Sequence, residues 1–585
     1  MIDRLSAEEL NKIAEKYPII DSFRKEERYS DLIGSPFYIN LIVKNVADYS
    51  SITDENKLRA LIWENAICLR NKTSKYDVLF NDVVDEINKI VFERAKTFSL
   101  GVPNESINQK VLRALISENV IVENNGTVRL KYDIFEDICF EQNIDREFDL
   151  CRGVYSQLFD KIEVFGRCCY RRYQIWISNK IFTKTRRDKF LYNLLFSKNL
   201  PDKWTKQTII GLVKSRFCTS FFEEQENNLI EKDMLQRFID ITNLYAFEAQ
   251  VLYFSPEPYF SLKPQGTGRA EIIRIIFKNE LYKESGIKSD AIIKLCSDYA
   301  KNKEYDFEIG KMACLILAYY IDSVLNDDKI MCYQKSKRIN PLLTPIYLMS
   351  EVSKDWIIMF WKKQMVEFSS TNHDTRRIAE EIFENTLDMT PYKLTKNLPH
   401  ETCDLATKFW TTKFNVPDSY MFYDSGIDSV GYQYGLNKNA ESYGHSTDSL
   451  HVGNFLNSIF TQNFWIGLSW AIDFINNAVD CFVKQNSNNV GEIEINFVGK
   501  GTSKKYYAIP AMWFAGSQEG HFPVLLGDIV YVLRSHILSM IKSAIHENIE
   551  YNQFVFLVKK AILEKSNSIT MFPIIADIGI EFEKE

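Results

Sequence analysis

The first 372 of the 585 residues contain no histidine, since all seven lie at or beyond His373. That absence excludes a His-dependent hydrolase, a zincin or a His-ligated metal centre built within the N-terminal half alone. The later set, His373, His400, His445, His451, His521, His536 and His546, has no HxH or HxxxH pair. Cysteine is present eleven times but never as CxxC, which argues against disulfide scaffolds and zinc ribbons and for a reducing compartment. The adjacent Cys168 and Cys169 are not expected to bridge. Glycine and proline are sparse, 23 and 15 in the whole chain, so few turns are obligatory and long helices have room to run. No 18-residue apolar stretch accumulates: Cys314–Leu325 and Phe522–Leu533 are broken by Asp or Gly, and no membrane span is expected. The opening MIDRLSAEELNKIAEKYP is charged from residue 3 and lacks the apolar stretch of a signal peptide. A cytoplasmic location is the expectation.

A phosphate-binding loop is missing as well, because nowhere does GxxxxGK precede Ser or Thr. In EIEINFVGKGTSKKYYAI, Glu494 stands where the first Gly belongs and Gly501 where the hydroxyl belongs. Ile493, Ile495 and Phe497 before the turn, with Tyr507 and Ile509 after it, describe a β-ribbon instead. The GTGR at Gly266–Arg269 reads as a Gly-rich turn before a helix.

What is present is enough chain for several cores. A composition of 45% hydrophobic and 25% charged residues is ordinary for globular proteins. The net charge of -7 argues against a surface wholly adapted to nucleic acid or anionic membrane. Residues 161–220 depart from it, with fourteen Lys or Arg against three acidic side chains. Arg171, Arg172, Arg186, Arg187 and Lys189, interleaved with Tyr170, Tyr173 and Trp176, form a candidate basic patch for nucleic acid or an acidic partner. An intramolecular contact with acidic parts of the same chain is the competing reading.

Along the chain, Ser6 and Glu9 form a capping box before Leu10, Ile13 and Tyr17. Gly34-Ser35-Pro36 joins two helices, with Ser35 as cap and Pro36 in the first helical position. Thr53 or Asp54 can cap a third helix that buries Leu58, Leu61, Ile62 and Trp63. An amphipathic helix over Asp82–Thr97 and another over Asn108–Asn119, with Val111, Leu112, Leu115 and Ile116 inward, precede VIVENNGTVRL, where Asn125-Gly126 marks a two-residue hairpin turn. KYDIFEDICFEQ then returns to helical spacing. This order resembles a winged helix. If that domain reads DNA, Gln109, Lys110 and Arg113 are the residues placed to reach bases.

Beyond residue 150, helices follow one another with aromatic anchors such as Trp356, Met359 and Phe360, or Leu405, Phe409 and Trp410, but with no fixed repeat. A degenerate α-solenoid is expected. Val416–Gly453, rich in Tyr, Ser, Asp and Gly, reads as a long irregular loop of the kind that carries function. Its Tyr420, Tyr423, Tyr432, Tyr434 and Tyr443 suit partner recognition, better than Asp424, Asp428, His445, Asp448 and His451 suit a metal or acid-base cluster.

Gly34-Ser35-Pro36 followed by a winged-helix pattern ending VRLKYDIFED resembles the lid and winged-helix part of STAND NTPases, with bacterial antiviral sensors of the Avs kind as the nearest comparison. By that resemblance Gly34 and Pro36 contact the base end of a nucleotide, and Tyr132 and Asp133 occupy the place of the family's diphosphate-holding His-Asp pair, Tyr replacing His. It covers about residues 1–150, and the helical remainder is similar only in architecture to the family's target-sensing arrays. The expected fold is therefore mainly α: a helical lid (1–57), a winged-helix domain (58–150), a basic helical region (151–260), an α-solenoid (261–415), and a C-terminal helical region with an irregular loop and a small β-hairpin (416–585). The implied partners are a protein target of viral origin and a P-loop NTPase segment or subunit, with self-association on activation and no membrane. Without such a core these residues are expected to bind neither ATP, ADP nor Mg²⁺ and to catalyse nothing, because lid residues lack the backbone N–H nest, lysine and metal ligands a triphosphate requires. Two other readings stay open: a nucleic-acid-binding winged-helix protein and a non-catalytic helical scaffold.

Overall fold

The computed structural model describes residues 5–25, 29, 33–46, 52, 55–165, 169–180, 184–196, 201–252, 259–302, 305–388, 390–413, 430–440, 454–497, 502–515 and 522–582. The fold is mainly helical, with small antiparallel β-hairpins, and the chain forms two compact units, residues 1–275 and 276–585.

In the first unit, the helix Ala7–Lys16 starts at the expected capping box: Glu9 N–H donates to Ser6 Oγ at 3.2 Å, and Ser6 N–H to Glu9 Oε2 at 2.8 Å. The helix Pro36–Asn45 starts at Ser35, with Pro36 in its first turn and no bond from the Ser35 hydroxyl to the backbone. The helix Glu55–Leu61 continues as a π-helical segment, Ile62–Ile67, that buries Ile62, Trp63 and Ile67. The helix Phe80–Thr97 leads to strand β1 (Val102–Pro103). The helix Gln109–Ser117 is capped by Asn108, whose side chain accepts from Lys110 N–H at 3.0 Å. Of the four residues expected inward there, Val111, Leu112 and Leu115 are buried, whereas Ile116 is exposed and Ala114 takes its place. Strands β2 (Ile121–Asn124) and β3 (Thr127–Leu130) pair in register Asn124↔Thr127 around Asn125-Gly126, and β1 adds to β3, giving the order β1-β3-β2. Both turn residues have positive φ, 51° and 73°, the conformation that Asn-Gly accepts at little cost. A single core running from Ala14 to Phe140 serves all these elements, so the residues on either side of position 57 fold around shared apolar contacts.

Next comes the 18-residue helix Asp133–Leu150, here the acidic helix. After it, Cys169–Lys180 and Asp202–Lys214 pack closely: Gly211 leaves no room for a Cβ against the Gln174 carbonyl and Ile177. Strands β4 (Phe247–Leu252) and β5 (Tyr259–Pro264) form a hairpin before the helix Gly268–Lys278, in which the division between the units falls.

The second unit is a succession of helices, each packed on near neighbours in sequence, from Ser289–Tyr299 through Phe307–Asn326, Cys332–Leu348, Ser350–Phe368, His373–Asp388 and Pro399–Thr411 to Phe464–Asn486. Leu405, Phe409 and Trp410 are core residues; Phe360 is buried with Trp356 stacked on it, whereas Met359 points outward. The expected ribbon is present as β6 (Gly491–Phe497) paired with β7 (Thr502–Ala508). After the turn the buried residue is Tyr506, not Tyr507; the register pairs Tyr506 with Ile493, which is itself exposed. Val524–His546 is long and apolar enough to cross a bilayer by length and composition, although neither apolar stretch was expected to reach that length. Its Leu525, Leu526, Ile529, Leu533, Ile537 and Ile541 are buried, and it packs on the helix Phe455–Gln462.

Candidate functional site

The two motifs separated by almost a hundred residues come together. The Gly34 carbonyl accepts from Leu5 N–H at 2.9 Å, which ties the joint before Pro36 to the start of the described chain. On the other side, Lys131 N–H donates to the Val120 carbonyl at 2.9 Å, and Tyr132 leaves the sheet in an extended conformation as the capping position of the acidic helix. Asp133 is consequently the first residue of that helix, an anionic group at the positive end of the helix dipole. Phe37, directly after Pro36, meets Tyr132 edge-on at 4.9 Å between ring centroids, and Phe135 closes the triangle at 5.7 and 5.3 Å. Tyr132 and Asp133 are exposed, and the Lys131 ammonium lies 5.6 Å from the Tyr132 ring. The result is an aromatic wall with one anion and one cation at its rim.

Beneath it lies a charged network that the sequence reading missed. Asp137, Glu141 and Asp145 stand four residues apart, so they line one face of the acidic helix, where like charges repel. Their partners come from two other elements, the helices Cys169–Lys180 and Glu55–Leu61. Asp137 binds Arg171 (3.2 Å) and Arg172 (3.3 Å), Glu141 binds Arg59 (3.2 Å), and Asp145 accepts from the Trp176 indole N–H at 3.0 Å. The neighbouring Glu136 binds Arg172 at 3.2 Å and Arg94. Glu136, Asp137 and Glu141 are all buried. Burial pushes the Asp137 carboxyl up, against the pull of Arg171 and Arg172, and burial with nearby Arg129 lowers the Arg94 guanidinium. Arg172 also lies 4.3 Å over the Phe140 ring. The visible signal was the four-residue spacing of acids inside a run of otherwise buried residues.

Of the basic patch, Arg171 and Arg172 serve this intramolecular network, Arg172 with little exposure. Arg186, Arg187 and Lys189 lie on the helix Lys184–Phe196, with their side chains outside the described residues. Lys110 pairs with Asp77 at 2.9 Å, and the Gln109 amide donates to the carbonyls of Asn104 and Ile107. Of the tyrosines, Tyr420, Tyr423 and Tyr443 lie outside the described residues, as do Asp424, Asp428, His445, Asp448 and His451. Tyr432 is exposed, but Tyr434 is a core residue stacked on Phe482 at 4.5 Å and against Phe522 at 5.4 Å. Apolar packing has withdrawn it from any contact surface. The GTGR turn is likewise a packing device: the buried Arg269 guanidinium donates to the Thr242 carbonyl at 3.3 Å and lies 5.0 Å from the Phe247 ring.

Among the described residues no group of three His, Cys, Asp or Glu is placed to hold a metal ion. No known protein family matches the chain, and no curated protein matches it either.

Proposed function

We propose that this chain is the sensor and regulatory portion of a STAND-type NTPase. Residues 1–150 act as its lid and winged helix, the helical remainder acts as a degenerate solenoid that recognises a protein target of viral origin, and a P-loop core supplies nucleotide chemistry in the cytoplasm. The observation that supports this reading is the Phe37–Tyr132 contact, which places Gly34 and Pro36 beside Tyr132 and Asp133, where the resemblance requires both motifs to face one nucleotide. The strand order β1-β3-β2, with β1 before the helix Gln109–Ser117 and β2 and β3 between it and Asp133–Leu150, is consistent with a winged helix. The engagement of Arg172 with Glu136 and Asp137 favours a sensor over the nucleic-acid reading, because it links the acidic helix to the first helices of the array. Target binding that strains this link would shift a two-state equilibrium between closed and open forms only by its differential affinity for them.

The test is co-purification of the tagged chain from its native cells with ATP and Mg²⁺ and with EDTA. An accompanying P-loop polypeptide that dissociates in EDTA is expected. Its absence under both conditions, or ATP hydrolysis by the purified chain alone, overturns the proposal.

A further inference from the structure

The helices Ser350–Phe368 and Pro399–Thr411 touch near both ends and leave a groove between. At one end Lys354 Nζ lies 3.9 Å from Glu401 Oε1, and at the other the rings of Phe368 and Phe409 are 5.4 Å apart. The groove is open to solvent, has a volume of about 750 Å³, and spans Ile358–Ser369 on one wall and Glu401–Lys408 on the other. Its floor is apolar: Trp361 and Leu405 are buried, Ile358 and Met365 half-buried. The one polar atom of Trp361 is turned away, its indole N–H donating to the Tyr347 hydroxyl at 3.1 Å. The rim is charged with both signs. Asp404, Lys362 and Lys408 line it, and none of the three has an ion-pair partner among the described residues.

We infer that this groove docks one amphipathic helix of a partner protein. That helix bears bulky apolar residues at i, i+3 or i+4, and i+7 on its inner face, with a basic and an acidic side chain one turn apart along its edge. Shape and charge both lead to this occupant. The contacts at the two ends bound fifteen residues of one wall, Lys354–Phe368, and nine of the other, Glu401–Phe409, lengths of about 21 and 12 Å at 1.5 Å per residue, so two turns of a helix lie between both walls and up to four along the longer one. An open trough of these dimensions suits an amphipathic helix laid in it. Asp404 and Lys408 are four residues apart on one helix, so their charges sit about 6 Å from each other along the groove. A partner helix matches that spacing with opposite charges at i and i+4. The alternative, a small apolar ligand in a site of this volume, gives the unpaired rim charges nothing to meet. The inference deepens the proposed recognition of a protein target and rests on that reading.

The experiment pans a display library of 18-residue helical peptides on the full chain without nucleotide and measures the enriched peptides by fluorescence anisotropy. The expected consensus has the i, i+3/i+4, i+7 apolar pattern and a basic–acidic pair four residues apart. Leu405→Glu should weaken binding at least tenfold. Because Leu405 is buried, the exposed double variant Asp404→Lys/Lys408→Glu gives the decisive reading: unfolding temperature unchanged, and a preference of at least fivefold for peptides with the two charges exchanged. No consensus of this kind, or equal binding of the peptides by the double variant, overturns the inference. Peptide capture by a chain that never meets a P-loop polypeptide would sink the NTPase proposal alone, and the converse result would sink the groove alone.

Discussion

Phe37 and Tyr132, 95 positions apart in sequence, hold their rings 4.9 Å apart at an interplanar angle of 65°. This edge-on contact joins the helix after Pro36 to the start of the acidic helix. Aromatic pairs of this geometry contribute about 0.5–1.5 kcal/mol beyond the area they bury. A double-mutant cycle with Phe37→Leu and Tyr132→Leu, followed by urea unfolding, should return a coupling energy of that size. A coupling near zero would mean that the two motifs are merely adjacent.

Arg172 reaches Glu136 and Asp137 from a helix some thirty-five residues further on. Arg172→Met leaves Glu136 with Arg94 and Asp137 with Arg171 as their remaining ion-pair partners, so it should destabilise the protein, but by less than the cost of breaking a buried pair outright, about 3–5 kcal/mol. The triple variant Arg172→Met/Glu136→Gln/Asp137→Asn should recover part of that loss, since the two side chains then carry no buried negative charge to be compensated. Chemical denaturation of the single and triple variants checks the order. A single variant no less stable than the triple would show that Arg94 and Arg171 compensate the two carboxylates without Arg172.

These two contacts mark where the sequence was legible and where it was not. The hairpin was readable because Asn125-Gly126 supplies the positive φ values locally, and the Ser6–Glu9 box because all its bonds lie within four residues. Asp137, Glu141 and Asp145 were not readable as a network: their partners come from two distant segments, Arg59 upstream and Arg171 and Trp176 on one helix downstream, and helical spacing alone leaves an acidic stripe looking solvated. Tyr434 failed for a related reason. A loop rich in Tyr, Ser and Gly reads as exposed, and only Phe482 and Phe522, distant in sequence, make this position core. The ribbon was recognised but its phase was not, because the choice between Tyr506 and Tyr507 depends on pairing across the turn.

The tyrosines therefore divide in a testable way. Tyr434→Ala should cost about 3–5 kcal/mol, the usual range for emptying a buried aromatic site. Tyr432→Ala, at an exposed position, should change stability by no more than about 0.5 kcal/mol. Thermal unfolding of both variants reads the difference, and similar melting temperatures would contradict the placement of Tyr434.

Gly266 in the GTGR turn has φ +78°, and a Cβ there would lie 2.4 Å from the Val213 carbonyl oxygen and 2.5 Å from the Lys214 carbonyl carbon. Both obstacles are backbone, so they cannot swing aside. Gly266→Ala should destabilise the protein by at least about 2 kcal/mol, combining a left-handed conformation with a forced backbone shift. If the turn served phosphate binding instead, the variant would lose anion affinity with its melting curve unchanged.

Asp528 lies on the apolar helix Val524–His546, and its Oδ2 is buried without a hydrogen-bond partner. Burial raises its carboxyl from 3.8 to about 6. The folded protein then binds this proton more tightly than the unfolded chain, so the contribution of Asp528 to stability falls as the pH rises from about 4 to about 6 and stays at its lowest above that window. A shift of this size corresponds to a cost of about 3 kcal/mol at pH 8. Asp528→Asn removes the ionisation, so the variant should be more stable than the parent at pH 8 by up to that amount, with the advantage shrinking towards pH 4. Melting temperatures of both proteins at pH 4, 5, 6 and 8 give the comparison. A constant difference across the series would mean that the carboxyl finds water or a cation when it ionises, and that the site is less apolar than its neighbours on the helix imply.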